Sequence, residues 1–190
     1  MGRRLGVALL AAGSSRRFGD KDKLSTEFRG RQLGEYAADA IPTKLFDRAW
    51  VVTSGPDHLC ENHWRARRFE PLINLRSAEG RGTSVALAAM AAQEAQLDGL
   101  LIALADMPLV PPSHFKALIE EWDASAPITV SAIGEARMPP ALFASRYFKD
   151  LENSSGDQGA RVLVAQGEVV PCPPEWLADI DTPEALLALS

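Results

Sequence analysis

The chain has 190 residues, 46% apolar and 24% charged, a balance typical of a globular protein, so we expect one domain spanning residues 1–190. Its formal net charge of −5 argues against nucleic acid as a partner, because few basic residues remain to neutralise a polyanionic backbone. No apolar stretch approaches the roughly 20 residues that cross a bilayer, and the run 5–12 is too short for a signal peptide. The two cysteines, Cys60 and Cys172, lie far apart, unlike those of a disulfide-rich secreted protein. We therefore expect a cytoplasmic protein with no membrane partner.

Short apolar stretches bounded by turn residues or charges predict buried strands, and the segments between them predict helices. The alternation of strand and helix predicts an α/β protein with a three-layer α/β/α, Rossmann-like fold and a mostly parallel sheet. In chain order, the predicted elements are strand 5–10, helix 32–41, strand 48–53, helix 57–67, helix 83–96, strand 100–104, helix 113–122 and strand 128–133.

The C-terminal third is less regular, because Pro139 and Pro140 interrupt it. Helices are predicted there at 145–153, 158–165 and 182–189. Thr83 is predicted to cap the helix 83–96. The three histidines fall among the predicted helices, so we expect ordinary surface roles for them.

The loop after the first strand, Ala11-Ala12-Gly13-Ser14-Ser15-Arg16-Arg17-Phe18-Gly19, lies where ligands collect in an open α/β sheet. Its small residues let a ligand approach the backbone, and its guanidinium groups can grip phosphate oxygens. The loop is not a P-loop, because five residues separate its glycines, and it has too few glycines for the dinucleotide fingerprint. From composition alone, a solvated surface turn fits equally well.

Two further places carry polar groups at predicted element ends. Asp106 follows a buried strand at the same sheet edge, where a carboxylate can hold Mg²⁺, although an aspartate there is more often a turn former. Gly82, Thr83 and Ser84 begin a helix, whose free N–H groups and hydroxyls suit a polar ligand. An ordinary capped helix is the simpler interpretation of that second place.

The first loop resembles the LAAGxSxRxG signature, followed shortly by lysine, of the molybdenum cofactor cytidylyltransferase and guanylyltransferase group, the MocA/MobA-like nucleotidyltransferases. Lys23 takes the place of the motif lysine, with Lys21 as a rival. Four more segments resemble family motifs in the family's order, so the resemblance covers nearly the whole chain. They are Gly80-Arg81-Gly82-Thr83-Ser84 for GxGSS, Ala105-Asp106-Met107-Pro108 for GDMP, Gly156-Asp157-Gln158-Gly159-Ala160-Arg161 for GDxGAR, and Asp179-Ile180-Asp181-Thr182-Pro183-Glu184 for DIDTPED.

The resemblance implies a nucleotidyltransferase in which an acceptor phosphate attacks the α-phosphorus of a nucleoside triphosphate and pyrophosphate leaves. It implies catalytic roles for Arg17 and Lys23 on the triphosphate and for Asp106 on Mg²⁺, with Asp179 as a weaker candidate for a second metal ligand. It also implies acceptor binding by Asp157 and Arg161. The nucleotide-binding set that it implies is Ala11, Ala12, Gly13, Ser14, Ser15, Arg17, Lys23, Gly82 and Ser84.

The resemblance favours CTP, since the guanylyltransferases usually have a second glycine where Ala12 stands. It implies a molybdopterin-type acceptor and, as a possible partner, a recipient molybdoenzyme. Met138 stands where relatives often have glycine, which leaves the acceptor open. The alternatives are a GTP-using enzyme, a methylerythritol-phosphate or sugar-phosphate nucleotidyltransferase, and a non-catalytic protein that delivers a nucleotide or pterin. The sequence does not indicate an oligomeric state.

Overall fold

The computed structural model describes residues 2–13, 18, 22–123, 125–156 and 160–189. No helix in these ranges is both long and apolar enough to cross a membrane. The strands are β1 (Leu5–Leu10), β2 (Glu27–Phe28), β3 (Arg31–Gln32), β4 (Arg48–Thr53), β5 (Glu70–Ile73), β6 (Gly99–Leu104), β7 (Ile128–Ile133), β8 (Ala136–Ala144) and β9 (Glu168–Pro171). The α-helices are α1 (Leu33–Ala40), α2 (Glu61–Ala66), α3 (Arg81–Glu94), α4 (Pro112–Glu120), α5 (Phe148–Glu152), α6 (Arg161–Val164) and α7 (Pro183–Leu189).

Most of these strands form one sheet in the order β5-β4-β1-β6-β8-β7-β9, while β2 and β3 form a separate small hairpin. Strands β5, β4, β1 and β6 run parallel, β8 pairs antiparallel with both of its neighbours, and β7 pairs parallel with β9. The predicted α/β fold, Rossmann-like and three-layered with a mostly parallel sheet, is confirmed.

The centre of the sheet follows directly from the sequence. All residues of β1 and β6 are buried, as expected for apolar strands covered on both faces. The predicted strands 5–10, 48–53 and 128–133 have the observed bounds, and the fourth begins one residue earlier than predicted, at Gly99. This apolar centre holds the carboxyl ends of β1 and β6 side by side.

Among the first four helices, two begin more than one residue away from the predicted start. The helix predicted at 57–67 begins only at Glu61, since Asp57 has a φ of 59°, in the left-handed region that a helix cannot continue. The cap predicted at Thr83 is wrong, because α3 begins at Arg81 after Gly80, whose φ is 112°. The Thr83 hydroxyl instead lies within hydrogen-bond distance of the carbonyl oxygens of Arg76 and Gly80.

Strand β8 runs through the two prolines that seemed to interrupt regular structure. The β7–β8 register passes from Val130–Ala141 directly to Ser131–Met138, so Pro139 and Pro140 fall at an irregularity where no ladder partner is required. Proline lacks the N–H of a strand residue and is tolerated at such places. The sequence also gave no prediction of β5 or β9, which have four residues each.

The C-terminal helices are shorter than predicted. The segment 145–153 consists of a turn of 3-10 helix, Ser145–Tyr147, followed by α5. Helix α6 covers part of the predicted helix 158–165, of which 158 and 159 lie outside the described residues. Helix α7 begins at Pro183, one residue later than predicted, and the Thr182 hydroxyl accepts the backbone N–H of Ala185 at 3.1 Å.

Candidate functional site

A cavity of about 520 Å³ lies at the carboxyl ends of β1 and β6, whose last residues, Leu10 and Leu104, both line it. The chain stays tied to the sheet just beyond these strands. The backbone N–H of Ala11 donates to the Val52 carbonyl at 2.8 Å, and that of Ala105 donates to the Leu10 carbonyl at 3.1 Å. The residues that follow each strand therefore enter the cavity from a rigid base.

Lys23 lies between two carboxylates in this cavity. Its Nζ is 2.7 Å from Asp106 Oδ2 and 2.7 Å from Asp181 Oδ1. The side chains of Lys23 and Asp106 are only 10% and 13% exposed, so water screens their ion pair weakly. Burial by itself would lower the pKa of Lys23, but the two carboxylates hold it above its ordinary value. The cavity thus contains a permanent cation.

The second oxygen of the Asp106 carboxylate has a different environment. Asp106 Oδ1 is buried and has no hydrogen-bond partner in the part of the chain that the structure describes. Burying a carboxylate oxygen without a partner is costly, and such atoms are uncommon in folded proteins. A hard divalent cation, which prefers oxygen ligands, fits this atom.

Within the described ranges, no three His, Cys, Asp or Glu side chains form a metal-binding group. A fully protein-ligated site, such as a structural zinc site, is therefore not formed by these residues. The donor set instead suits an ion such as Mg²⁺, which uses one or two carboxylates and takes its other ligands from water and substrate phosphates.

The C-terminal segment is fixed beside Asp106 by the backbone, because the N–H of Ile180 donates to the Asp106 carbonyl at 2.9 Å. Of the two aspartates that flank Ile180, Asp181 lines the cavity, whereas Asp179 is exposed and does not belong to the lining set. Partial loss of contact with solvent, followed by the nearby charges of Asp181 and Asp106, raises the pKa of Asp179. Asp181 was not singled out from the sequence, although the motif that contains it was.

The opposite wall is the start of α3, where Gly80, Arg81 and Ser84 line the cavity. Asn74 organises this wall from behind. Its side-chain Nδ2 donates to Thr83 Oγ1 and to Ser84 Oγ, both at 2.9 Å, while its backbone N–H donates to the Thr53 carbonyl at 2.7 Å. Sequence reasoning missed Asn74, which belongs to no motif, and only its place after the unpredicted strand β5 could have indicated it.

Gly82 is predicted to bind the nucleotide, but in the structure it packs against the protein backbone. A Cβ atom at this position would lie 2.7–2.8 Å from the backbone of Ser155, and Gly82 does not line the cavity. Only glycine allows the α3 N-terminus and the Ser155 backbone to approach this closely. The next residue, Gly156, does line the cavity. Gly82 therefore brings a C-terminal segment against the α3 wall.

The predicted site residues separate into three groups. Those that are described but do not line the cavity are Gly82, Asp179 and Arg161. The residues that line the cavity are Ala11, Ala12, Gly13, Lys23, Ser84 and Asp106. Those outside the described residues are Ser14, Ser15, Arg17 and Asp157, together with Lys21, the rival motif lysine.

A second buried polar cluster lies in the core and corrects the surface role predicted for His114. His114 is only 2% exposed, its Nε2 lies 2.7 Å from Ser131 Oγ, and the Ser131 hydroxyl donates to the Pro140 carbonyl at 2.8 Å. Because Ser131 gives its hydrogen to Pro140, the ring must donate from Nε2. Burial lowers the pKa of His114, which favours the neutral ring.

Comparison with known proteins agrees with the fold and the motif order. The family model of the MobA-like NTP transferase domain matches residues 7–170. The chain is 32% identical to the purine catabolism protein PucB of Bacillus subtilis strain 168, an alignment that covers 92% of this chain and 90% of PucB.

Solved structures with the same fold include a nucleotidyl transferase from Methanothermobacter thermautotroptrophicus. It is 20% identical, with a TM-score of 0.80, over 99% of this chain and 96% of that one. Another is Rv0371c of Mycobacterium tuberculosis H37Rv in complex with manganese. It is 21% identical, with a TM-score of 0.72, over 100% of this chain and 98% of that one. At these identities the likeness concerns the fold.

Proposed function

Because the chain belongs to the MobA-like NTP transferase family and is a nucleotidyltransferase, we propose that it transfers CMP from CTP to the phosphate of molybdopterin or of the molybdenum cofactor. In this reaction an acceptor phosphate oxygen bonds to the α-phosphorus of CTP, the bond between that phosphorus and the α–β bridging oxygen breaks, and pyrophosphate leaves. The observation that carries the proposal is the buried Lys23 held between Asp106 and Asp181 in a cavity at the strand ends.

The first requirement of this reaction is positive charge near the triphosphate. Lys23 is a buried cation that lines the cavity, so its charge is weakly screened where negative charge grows on the leaving pyrophosphate. Arg17 is proposed as a second cation on the same phosphates, with Ser14 and Ser15 in the phosphate-binding loop. Ala12 and Gly13 are small, which lets a phosphate approach their backbone N–H groups.

The second requirement is a divalent metal, and we propose Mg²⁺. The partnerless oxygen of Asp106 is its proposed protein ligand, with Asp179 or Asp181 as the second carboxylate. Asp181 has the better supporting geometry, since it lines the cavity with Asp106. The manganese complex of Rv0371c supports a divalent ion in this fold. When bound, Mg²⁺ would polarise the phosphate oxygens and hold the α-phosphate for in-line attack.

The proposed choice of base depends on the space beside Ala12 in the same cavity. Ala12 is 7% exposed and lines it, so its methyl group occupies space that a glycine at this position would leave free. This supports the one-ring base of CTP over a purine. The Ser84 hydroxyl and the backbone around Gly80 are proposed to contact the ribose and base from the α3 wall.

The acceptor is proposed to bind beside the segment that begins at Gly156, which lines the cavity directly before Asp157 in the sequence. Asp157 and Arg161 are the proposed acceptor residues. Met138, the departure from the family pattern, packs against the apolar core and is not part of the cavity lining. It therefore gives no argument against a pterin in this cavity.

The test is pyrophosphate release from each of the four nucleoside triphosphates with Mg²⁺, with and without molybdopterin or its molybdenum-loaded form. Release with CTP that requires the pterin is the expected result. Release with another triphosphate would change the proposed base. Release that requires methylerythritol phosphate or a sugar phosphate in place of the pterin would change the proposed acceptor, and no release from any combination would contradict the proposal.

A further inference from the structure

The direction of Lys23 is set by the short turn that it begins. Asp22 precedes the 3-10 turn Lys23–Ser25, and its Oδ1 accepts the backbone N–H of Leu24 at 3.3 Å. The other oxygen, Oδ2, accepts the Ser25 hydroxyl at 2.6 Å. The Asp22 carboxylate is thus bent over the turn, and any rotation of it would tilt the backbone from which Lys23 extends.

His58 contacts this carboxylate from a distant part of the chain. Its Nε2 lies 2.7 Å from Asp22 Oδ2, and its Nδ1 accepts the backbone N–H of Cys60 at 3.0 Å. Because Nδ1 is an acceptor, the proton of the neutral ring is on Nε2. This nitrogen is buried in close contact with the carboxylate, but the contact does not have hydrogen-bond geometry. Burial alone would raise the pKa of Asp22, but the contacts with His58 and Ser25 lower it to about 2. Asp22 therefore stays ionised and available to the turn.

The ring of His58 is itself held rigidly. It stacks on the indole of Trp64, with ring centroids 4.5 Å apart and an interplanar angle of 29°. Trp64 is fully buried, and its Nε1 donates to the Gly34 carbonyl at 2.8 Å. The side chain of His58 is only 14% exposed. A rigid support therefore extends from the core through Trp64 and His58 to Asp22, and from Asp22 to the turn of Lys23.

We propose that His58 is a positioning residue for nucleotide binding, acting through Asp22 to hold Lys23 at the triphosphate. The inference rests on the proposed function in one respect, that Lys23 contacts the phosphates of the nucleotide. His58 is not among the residues that line the cavity, and we propose that its effect is passed on through the Asp22 carboxylate. Its contribution exists only while Lys23 is present.

Because the proposed contribution of His58 requires Lys23, a double-mutant cycle of the two residues tests it. The affinity of wild-type protein for CTP with Mg²⁺ is measured by calorimetry, alongside His58→Phe, Lys23→Ala and the double variant. We expect His58→Phe, which keeps a ring over Trp64 but removes the Nε2 donor, to weaken binding roughly three- to tenfold. In the Lys23→Ala background the same change should have no further effect on affinity.

Two control variants separate an effect on the position of Lys23 from a general loss of fold stability. His58→Gln places an amide donor near the position of Nε2 and should restore most of the affinity that His58→Phe loses. His63 makes a similar histidine–aspartate contact, with Nε2 2.8 Å from Asp39 Oδ1, but neither residue lines the cavity, so His63→Phe should leave nucleotide affinity unchanged. Unfolding midpoints are measured for every variant, because a purely structural loss would appear equally with and without Lys23.

The inference fails if His58→Phe leaves affinity unchanged, or if its effect is the same in the Lys23→Ala background. If wild-type protein binds a different nucleoside triphosphate, the cycle is run with that one, so a wrong choice of base leaves the test of His58 intact. If CTP binds but turnover with the pterin is absent, only the proposed reaction fails. Absence of binding to all four triphosphates would overturn both.

Discussion

Two buried polar clusters in this molecule have opposite hydrogen-bonding states. In the core, His114 donates to Ser131 and Ser131 donates to the Pro140 carbonyl, so the chain of donors ends on an acceptor. In the cavity, Lys23 satisfies one oxygen of Asp106, while the other oxygen has no hydrogen-bond partner among the described residues. The complete cluster is buried, and the incomplete one lines the cavity.

Both clusters contain ionisable side chains, but only the cavity cluster has an atom left for a ligand to bind. A satisfied cluster stabilises the native fold and offers nothing to a ligand. A cluster with a partnerless buried oxygen costs stability and offers that oxygen to an incoming cation. We therefore expect substitutions in the cavity cluster to change turnover, and substitutions in the core cluster to change the free energy of unfolding.

The largest expected effect is that of Asp106→Asn on turnover. The amide removes the charge that we propose for the metal, so pyrophosphate release should fall about a hundredfold or more. The free energy of unfolding should fall by about 1–2 kcal/mol, because the charge that pairs with Lys23 is lost while an amide oxygen and Asp181 can still accept from Lys23 Nζ. Steady-state kinetics and urea denaturation of the same preparation measure both quantities.

Asp150→Asn is the matched control, since Asp150 is an exposed aspartate on α5. It should leave both turnover and stability unchanged. Full Mg²⁺-dependent turnover by Asp106→Asn would remove the cavity cluster from the proposed mechanism.

At His114 we expect a loss of stability without a loss of turnover. His114→Phe keeps an aromatic ring in the core but leaves the Ser131 oxygen without its donor, which should lower the free energy of unfolding by about 1–3 kcal/mol. Turnover at 25 °C should remain that of the wild type, because the native fraction is still large. His114→Gln, which keeps a donor, should recover part of the stability. A large loss of turnover in a folded His114→Phe protein would show that the two clusters are coupled.

The third effect tests the contact between the α3 wall and the Ser155 backbone. Gly82→Ala introduces a methyl group where only 2.7–2.8 Å is available, so the segment that leads to Gly156 must shift. We expect KM for the pterin to rise about tenfold with a smaller change in KM for CTP, since a displacement of about 1 Å misplaces the acceptor.

Gly13→Ala should have the opposite relative effects on KM for CTP and KM for the pterin. A Cβ at Gly13 meets no described atom within 4 Å, and Gly13 lines the nucleotide side of the cavity. It should raise KM for CTP more than KM for the pterin. Equal effects of the two glycine substitutions on both substrates would argue against separate nucleotide and acceptor sides.

The smallest effect is a pH dependence of stability at His114. Burial lowers its pKa in the native state below the ordinary value of 6.5, so between these two pKa values the unfolded chain binds more protons than the native protein. Stability should therefore fall as pH decreases from 6.5, and His114→Gln should fall less steeply. Urea midpoints from pH 8 to pH 5 measure the slopes, and identical slopes would show that His114 does not titrate on unfolding.

The sequence predicts the parts of the fold that depend on local apolar pattern. Strands β1, β4 and β7 have the predicted bounds because each is a short apolar run that ends at turn residues. Strand β8 was not predicted, because Pro139 and Pro140 lack the backbone N–H groups that a strand residue donates. The register break that accommodates them depends on the pairing with β7, which the sequence of β8 alone does not reveal. Strand β5 is short, contains Pro71 and lies at the sheet edge, where pattern is weakest.

The candidate site also contains residues that the sequence indicated and residues that it did not. The strand-end argument and the motif resemblance indicated Asp106 and Lys23, and the structure brings their side chains into contact. The role of Asn74 could not be predicted, since its bonds to Thr83 and Ser84 depend on how α3 packs over the end of β5. The roles assigned to these residues remain predictions until the substitutions are made.

The bond between Lys23 and Asp181 has a consequence for how the protein is made. The two residues are 158 positions apart, so their contact joins the first strand–loop unit to the last turn before α7. Closing so long a loop is a late event in folding, because its entropy loss is offset only once the sheet between the two ends exists. A nascent chain synthesised as far as α4 carries Lys23 and Asp106 but still lacks the second carboxylate. The pair therefore forms only after the segment that carries Asp181 has been synthesised and the sheet between the two ends has folded.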